Sequence, residues 1–447
     1  MFKTKYSGVE WIGDIPIEWN IDKLKYCVDE INSGGTPESS NMDYYDDLTG
    51  IPWVAIGDMS TKEYVYDTSK KITIEGIKNK NLKIYPSGTL LYSIFATIGK
   101  TSFLKVNATI NQAILAIIAN KKIDKSFLKY QLNAMEDYVL SECSTNTQNN
   151  LNSTKVKNFN LVLPKLNEQK LIANFLDEKT TNLNNILFDL NKQIELLTSY
   201  KKSIITETVI GGLNKNVKMV ASGFNWAKEV PAHWDVTKKI KSLFDFSNGL
   251  PITKADLIEN GIPVISYGQI HSKTNKGTFI NSSLIRFVDE KYLKQNKSSI
   301  VKEGDFIFAD TSEDIDGCGN CVYVDTNELL FAGYHSIILR SKYSNQNKYL
   351  AYLFLTDNWR SQIRSKVYGV KVFSVTQKIL KEAKIILPPE NEQKEIVEYL
   401  DKKCEQIDKI IEEKQKQIEK IEEYKKSVIY EYVTGKKRVE GAEELYG

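Results

Sequence analysis

Histidine is almost absent: His233, His271 and His335 are the three in a chain of 447 residues. So sparse a set argues against a histidine-rich metal centre. Cysteine is equally thin, with Cys27, Cys143, Cys318, Cys321 and Cys404 scattered along the sequence. An odd, dispersed set is not a disulfide framework and reads as reduced thiols. No apolar run approaches the roughly 18–20 residues of a membrane span. The start, Met1-Phe2-Lys3-Thr4-Lys5-Tyr6, lacks the apolar core of a signal peptide, so a cytoplasmic location is expected. Arginine is missing before residue 286; Arg286, Arg340, Arg360 and Arg364 precede residue 385 and Arg438 follows it. Residues 1–160 balance 18 lysines against 18 acids, 221–384 come to +5 and 385–447 to −4. A protein that grips DNA unaided usually carries a basic face, because phosphate neutralisation supplies most non-specific affinity. This balance predicts weak DNA binding without a partner.

Catalytic fingerprints are missing too. Gly99-Lys100-Thr101 ends like a phosphate loop, but Ile94 stands where the loop needs its first glycine. Cys318-Gly319-Asn320-Cys321 has redox or zinc spacing, yet no second Cys/His pair completes a zinc site, and its setting before Val322-Tyr323-Val324 suggests a hairpin turn. Glu313-Asp314-Ile315-Asp316 lacks the ligand spacing and terminal Glu of a calcium loop, so a solvated acidic loop is expected. No Gly-x-Ser-x-Gly elbow, glycine-rich cofactor fingerprint or Asn/Asp-Pro-Pro-aromatic tetrapeptide occurs. No catalytic residue, metal ligand or cofactor site of this chain is therefore predicted.

What is present is a duplication. Leu161-Val162-Leu163-Pro164-Lys165-Leu166-Asn167-Glu168-Gln169-Lys170 returns as Ile385-Ile386-Leu387-Pro388-Pro389-Glu390-Asn391-Glu392-Gln393-Lys394. The match runs without a gap through Tyr200-Lys201-Lys202-Ser203 and Tyr424-Lys425-Lys426-Ser427 to Gly211 and Gly435, with 23 of 51 positions identical. Two unrelated Lys/Glu-rich helices would not keep the Pro, the Asn-Glu-Gln triplet, the Tyr and the Gly in register. A shorter echo opens each half: Ser7-Gly8, Trp11, Pro16, Trp19 and Lys23 align with Ser222-Gly223, Trp226, Pro231, Trp234 and Lys238. The stretches between diverge.

From Asn167 to Ile210 no proline or glycine interrupts, and Leu176, Leu183, Leu190, Leu197 and Ile204 recur every seven residues, with Ile186, Leu187 and Ile194 between. The second copy runs Leu400, Ile407, Lys414, Ile421 and Val428. A sustained heptad stripe with charged flanks reads as a coiled-coil seam. Each helix should span about 65 Å at 1.5 Å per residue. Equal lengths and matching seams predict that the two pair antiparallel, with pseudo-two-fold symmetry and Lys414 as a polar register mark. Residues 20–160 and 236–384 carry short β-branched and aromatic runs such as Leu90-Leu91-Tyr92-Ser93-Ile94-Phe95 and Gly304-Asp305-Phe306-Ile307-Phe308-Ala309, followed by helical stretches near 125–141 and 347–366. Two mixed α/β (α+β) modules are expected. Trp19, Trp53 and Trp234 read as buried structural residues.

These pieces resemble the specificity subunits of type I restriction–modification systems over nearly the whole chain. The most specific markers are the Leu-Pro…Asn-Glu-Gln-Lys segments at 163–170 and 387–394. Next come Gly13-Asp14-Ile15-Pro16 with Trp19, and a counterpart with Lys228-Glu229-Val230 before Pro231 and Trp234. Ser33-Gly34-Gly35-Thr36-Pro37 and Asn111-Gln112-Ala113-Ile114 look like features of the first module, and Gly333-Tyr334-His335-Ser336-Ile337 holds the equivalent place in the second.

The resemblance implies target recognition domains at 1–160 and 215–384, long spacer helices at 161–214 and 385–438, and a tail at 439–447. Each domain would read one half of a bipartite site in double-stranded DNA. The helix pair would set the gap and dock two methyltransferase subunits, which bring S-adenosylmethionine and the catalysis, with restriction subunits joined through them and no membrane involved. Base edges would be read by loop Asn, Gln, Lys, Ser/Thr and Arg. For the first module the favoured positions are Thr36, Ser93, Thr97, Lys100, Asn111, Gln112, Thr145 and Gln148, the last two within the amide-rich run 144–150. For the second they are Lys254, Tyr267, Gln269, Ser312, Glu313, His335 and Lys371. Competing readings are a self-contained methyltransferase or nuclease, against which the missing motifs count, and a purely structural coiled-coil scaffold.

Overall fold

The computed structural model describes residues 3–145, 151–343, 347–369 and 371–446. Two compact units divide the chain: Met1–Asn191 with Gln415–Gly447, and Lys192–Lys414. Each therefore contains one module, one stretch of the first long helix, Leu166–Gly211, and one of the second, Glu390–Val433.

In the first unit a hairpin of Thr4–Tyr6 and Asp14–Pro16 leads into Asn20–Lys23, which pairs antiparallel with Asn160–Leu163 just before the long helix. The module holds a five-stranded sheet in the order Val28–Ser33, Ile114–Ala119, Leu90–Ser93, Thr101–Leu104, Tyr64–Val65. A smaller sheet runs Thr109–Ile110, Ile51–Val54, Lys70–Ile72. Side chains alternate across a strand, and here both faces are covered. Leu90 and Tyr92 enter one core with Trp19 and Phe127, while Leu91 enters another with Val54 and Ile114. That is why the strands read as unbroken apolar runs rather than as apolar/polar alternation.

The second unit repeats this plan on different residues. Its main sheet runs Phe244–Asn248, Ser336–Ser341, Phe306–Ala309, Cys321–Tyr323. The second sheet runs Arg286–Val288, Ile262–Ile265, Leu330–Ala332, Ile300–Val301. Phe306 and Phe308 pack with Trp359 on one face, and Ile307 with Val322 and Ile338 on the other.

Within each unit the helix segments are antiparallel. In the first, the Phe175 and Tyr432 rings lie 4.5 Å apart and Lys425 Nζ donates to Asn184 Oδ1 at 2.7 Å. In the second, Lys201 Nζ reaches both oxygens of Asp408 at 2.7 Å, and Lys414 Nζ donates to Gln193 Oε1. Lys201 and Lys425 are repeat partners, as are Asn184 and Asp408, so one cross-helix contact has been kept twice. Leu176, Leu183, Leu190, Leu400, Ile407 and Val428 are buried, whereas Leu197, Ile204 and Ile421 are half-buried. Ile186 departs from the expected seam and is 47% exposed. Two helices cover only a narrow a/d stripe, so apolar side chains beside it stay outside.

The same helices tie each module to its unit. Trp19 Nε1 donates to Glu168 Oε2 at 2.9 Å, and Trp234 Nε1 to Glu392 Oε2 at 3.0 Å. Gln169 and Gln393 return their amides to the carbonyls of Pro164 and Pro388. Tyr130 and Tyr352 donate to Asp177 and Asp401, each at 2.6 Å. The repeated Asn-Glu-Gln segment is thus a joint: its Glu holds an indole and its Gln caps the helix entry.

No helix of the described residues is long and apolar enough to cross a membrane. The five cysteines are all buried and free of disulfides. Burial pushes Cys27 up to about 11 and Cys321 up to about 12. Titration of the folded chain with a thiol reagent near pH 7 should therefore find almost no reactive group, and all five after denaturation. Prompt reaction of the folded chain would contradict this burial.

Candidate nucleic-acid interface

Antiparallel pairing determines which loops meet. In the first unit, Val28–Ser33 and Leu90–Ser93 both end where Ile114–Ala119 begins, through Ser33 opposite Leu115 and Ser93 opposite Ile114. Backbone bonds extend the junction: Gly35 N–H to Ile110 O at 3.0 Å, Asn111 N–H to Val54 O at 3.0 Å, and Ile94 N–H to Ala113 O at 2.9 Å. Gly34 is obligatory here, because a Cβ would stand 1.8 Å from Ile110 O. Four strand ends thus converge on one edge.

In the second unit the corresponding ends are Phe244–Asn248, Phe306–Ala309, Ile262–Ile265 and the start of Ser336–Ser341. They are linked by Gly249 N–H to Ser336 O at 3.1 Å, Gly333 N–H to Ile265 O at 2.7 Å and Asp310 N–H to His335 O at 3.1 Å. A Cβ on Gly249 would lie 2.0 Å from Gly333 O. Gly249 therefore does for this edge what Gly34 does for the first. Reading the sequence missed it, although a Gly soon followed by Pro marks both places (Gly34 with Pro37, Gly249 with Pro251).

The expected contact residues divide into three groups. Some are scaffold. Ser93 is fully buried, its hydroxyl accepting from Lys100 N–H at 3.0 Å and donating to Thr97 O, which pins the 93–100 loop. Ser312 is 2% exposed, on a two-residue strand opposite Phe373.

Others are engaged locally. Lys100 pairs with Glu136 at the start of the helix Glu136–Thr145 rather than joining Thr36 and Gln112. Asn111 Oδ1 accepts from Ala113 N–H at 3.0 Å and Gln269 Oε1 from Ser266 N–H at 3.2 Å. Thr97 is half-buried on the pinned loop.

The rest stand outward. Thr36 Oγ1 donates to Gln112 Oε1 across the first edge. At the second edge the Tyr267 ring meets His335 at 5.4 Å and Tyr334 at 5.6 Å between centroids. His335 Nδ1 lies 3.3 Å from Asp310 Oδ1. Burial, with a smaller push from Tyr267, raises the Tyr334 phenol above its ordinary value, so it stays protonated. Glu313 and Lys371 are exposed on either side of the Thr311–Ser312 and Phe373–Ser374 pairing, and Lys254 is exposed on the turn Lys254–Asp256. The backbone of Thr145 ends its helix; its side chain and Gln148 lie outside the described residues.

The arginines, expected among the base readers, are engaged within the fold. Arg286 bonds Ser283 O and Ile285 O, and Arg340 bonds Ser298 O and Ile300 O. Arg360 bonds Phe354 O, Arg364 bonds Asp316 O and Asp357, and Arg438 bonds Glu168. Outward chemistry at the two edges is left to amide, hydroxyl, imidazole, phenol, carboxylate and lysine groups. The first edge offers Thr36 and Gln112 and the second Tyr267, His335 and Asp310, so equivalent scaffolds present unlike donors and acceptors.

A family model described as the type I restriction modification DNA specificity domain matches the chain twice, at residues 16–196 and 231–421. The chain is 25% identical over 400 residues to the MjaIX specificity subunit of a type I restriction enzyme from Methanocaldococcus jannaschii, covering 87% of each. It is 26% identical over 456 residues to the putative MjaX specificity subunit of the same organism, covering 96% of each. Among solved structures, a chain from "Structural basis underlying complex assembly and conformational transition of the type I R-M system" shares the fold. It has a TM-score of 0.66 at 14% identity, over 93% of this chain and 98% of that one.

Proposed function

The chain belongs to the type I restriction–modification DNA specificity family, and from that premise we propose that it reads a bipartite DNA sequence, one half per unit, for a methyltransferase it does not itself contain. The observation that carries this reading is the pair of equivalent strand-end edges with unlike side chains, Thr36 and Gln112 on one and Tyr267, His335 and Asp310 on the other. Two copies of one scaffold that differ where they face outward suit two different words. Phosphate contacts position a protein while base contacts specify, and amide, hydroxyl and imidazole groups match base edges in the major groove.

Methyl transfer would come from two methyltransferase subunits docked on the helix pair, with S-adenosylmethionine bound there and restriction subunits joined through them. In this reading the present chain performs no catalysis. The near-neutral first half supports the view that partners supply much of the phosphate contact.

Co-expression with the neighbouring methyltransferase, followed by genome-wide mapping of methylated adenines, tests the proposal. A split motif with a constant gap is the expected result. A contiguous motif, or methyl transfer by the purified chain alone, would contradict it. In the same experiment the chain alone should bind duplex DNA with a shallower salt dependence than the complex, since fewer phosphates are neutralised.

A further inference from the structure

At the second edge two side chains from separate strand ends converge on an imidazole at a third. His335 precedes the strand Ser336–Ser341, Asp310 follows Phe306–Ala309, and Tyr267 follows Ile262–Ile265. The His335 backbone sits at φ +53, a left-handed conformation that a residue with a Cβ adopts at an energetic cost. Its side chain remains 58% exposed although Tyr267 and Tyr334 flank it. Nδ1 faces Asp310, whose backbone N–H donates to His335 O, whose carbonyl accepts from Val375 N–H at 2.7 Å and whose Oδ1 accepts from Thr311 Oγ1. Among the described residues Nε2 has no hydrogen-bond partner. The ring thus has a carboxylate beside one nitrogen, is walled by aromatics and is open at the other.

We infer that His335 is a specificity-determining residue of the second unit, reading the exocyclic amino group of one base, adenine N6 or cytosine N4, through Nε2. In the neutral ring, a carboxylate at Nδ1 favours the tautomer with its proton there, which leaves Nε2 as an acceptor. Among major-groove edges only adenine and cytosine present an amino donor. Asp310 is then a positioning residue that selects the tautomer, and Tyr267 limits the ring's rotation. This inference rests on the bipartite-reading proposal and deepens it.

The test uses the full chain in complex with its methyltransferase and compares methylated motifs for the wild type, His335→Ala, Asp310→Asn and, at the other edge, Gln112→Ala. His335→Ala should relax discrimination roughly tenfold or more at one position, the scale of one good base contact. The other half-site, assigned by Gln112→Ala, should be read as before, which also shows that the variant folds and assembles. Asp310→Asn should do something that mere loosening cannot. Its amide can donate to Nδ1, moving the ring proton to Nε2, so the preference at that position should turn towards guanine or thymine, whose edges present acceptors.

Uniform weakening at every position would mean that His335 touches the backbone or only supports the loop, and would overturn the inference. So would an unchanged motif for His335→Ala, or simple loss without a change of base for Asp310→Asn. If the wild-type complex reads no split motif, the bipartite proposal fails first and takes this inference with it.

Discussion

Arg438→Ala should destabilise the unit formed by residues 1–191 and 415–447 by about 3–5 kcal/mol, the usual cost of removing one partner from a buried ion pair. The guanidinium bonds Glu168 Oε1 at 2.7 and 3.1 Å, and the two side chains are 6% and 0% exposed. Glu168 is also the acceptor for the Trp19 indole, so its buried carboxylate would lose the guanidinium inside the joint. The repeat supplies its own control. Glu392 holds Trp234 in the same way, but its other side-chain partner is His233, and the two are 31% and 43% exposed. Partly solvated pairs are worth about 0–1 kcal/mol, so His233→Ala should move the urea midpoint only slightly. Equal shifts for the two variants would show that burial does not set the cost. Because the chain has two units, unfolding should be followed by probes in each rather than forced into one two-state fit.

Gly435→Val should be comparably severe, at about 3 kcal/mol, and again only in that unit. Gly435 ends the second long helix at φ +73. There a side chain costs about 1–2 kcal/mol for handedness alone. Its Cβ would also stand 2.4 Å from Pro16 Cδ and 2.8 Å from Trp19 Cζ3, both in packed surroundings, and overpacking adds about 1–3 kcal/mol. Gly212, just past the end of the first long helix, has φ +72, but a Cβ there would first meet Trp234 Cζ2 at 3.1 Å. Gly212→Val should therefore cost less. Thermal melts that rank the two in the opposite order would refute this account of the helix ends.

Much of the architecture was legible because it is local or repeated. Heptad spacing predicted both long helices, and the observed bounds, Leu166–Gly211 and Glu390–Val433, lie close to those expected. Conserved register across the duplication marked Glu168 and Glu392 as special without saying why. Their reason is an indole more than a hundred residues away, which no local pattern reports. Heptad spacing places Ile186 beside the seam, but spacing alone does not say how much of a helix its neighbour covers.

The loop residues were harder for a different reason. Ser93, Ser312, Thr36 and Gln112 are all small or polar and all flank strands, so composition treats them alike. Strand pairing separates them: Ser93 turns inward opposite Ile114, while Gln112 projects beside Thr36. The arginines taught the same lesson, since charge counted along the chain does not reveal that each guanidinium is bonded within its own fold.

The sequence by itself determined that this protein is a module and a long helix occurring twice, because helix periodicity and repeat register are written in near neighbours. Only the tertiary structure decided which side chains of each module face outward. Exposure at the strand ends depends on pairings between segments far apart in sequence, such as Ser93 with Ile114 and Ser33 with Leu115, and on glycines that let those segments touch.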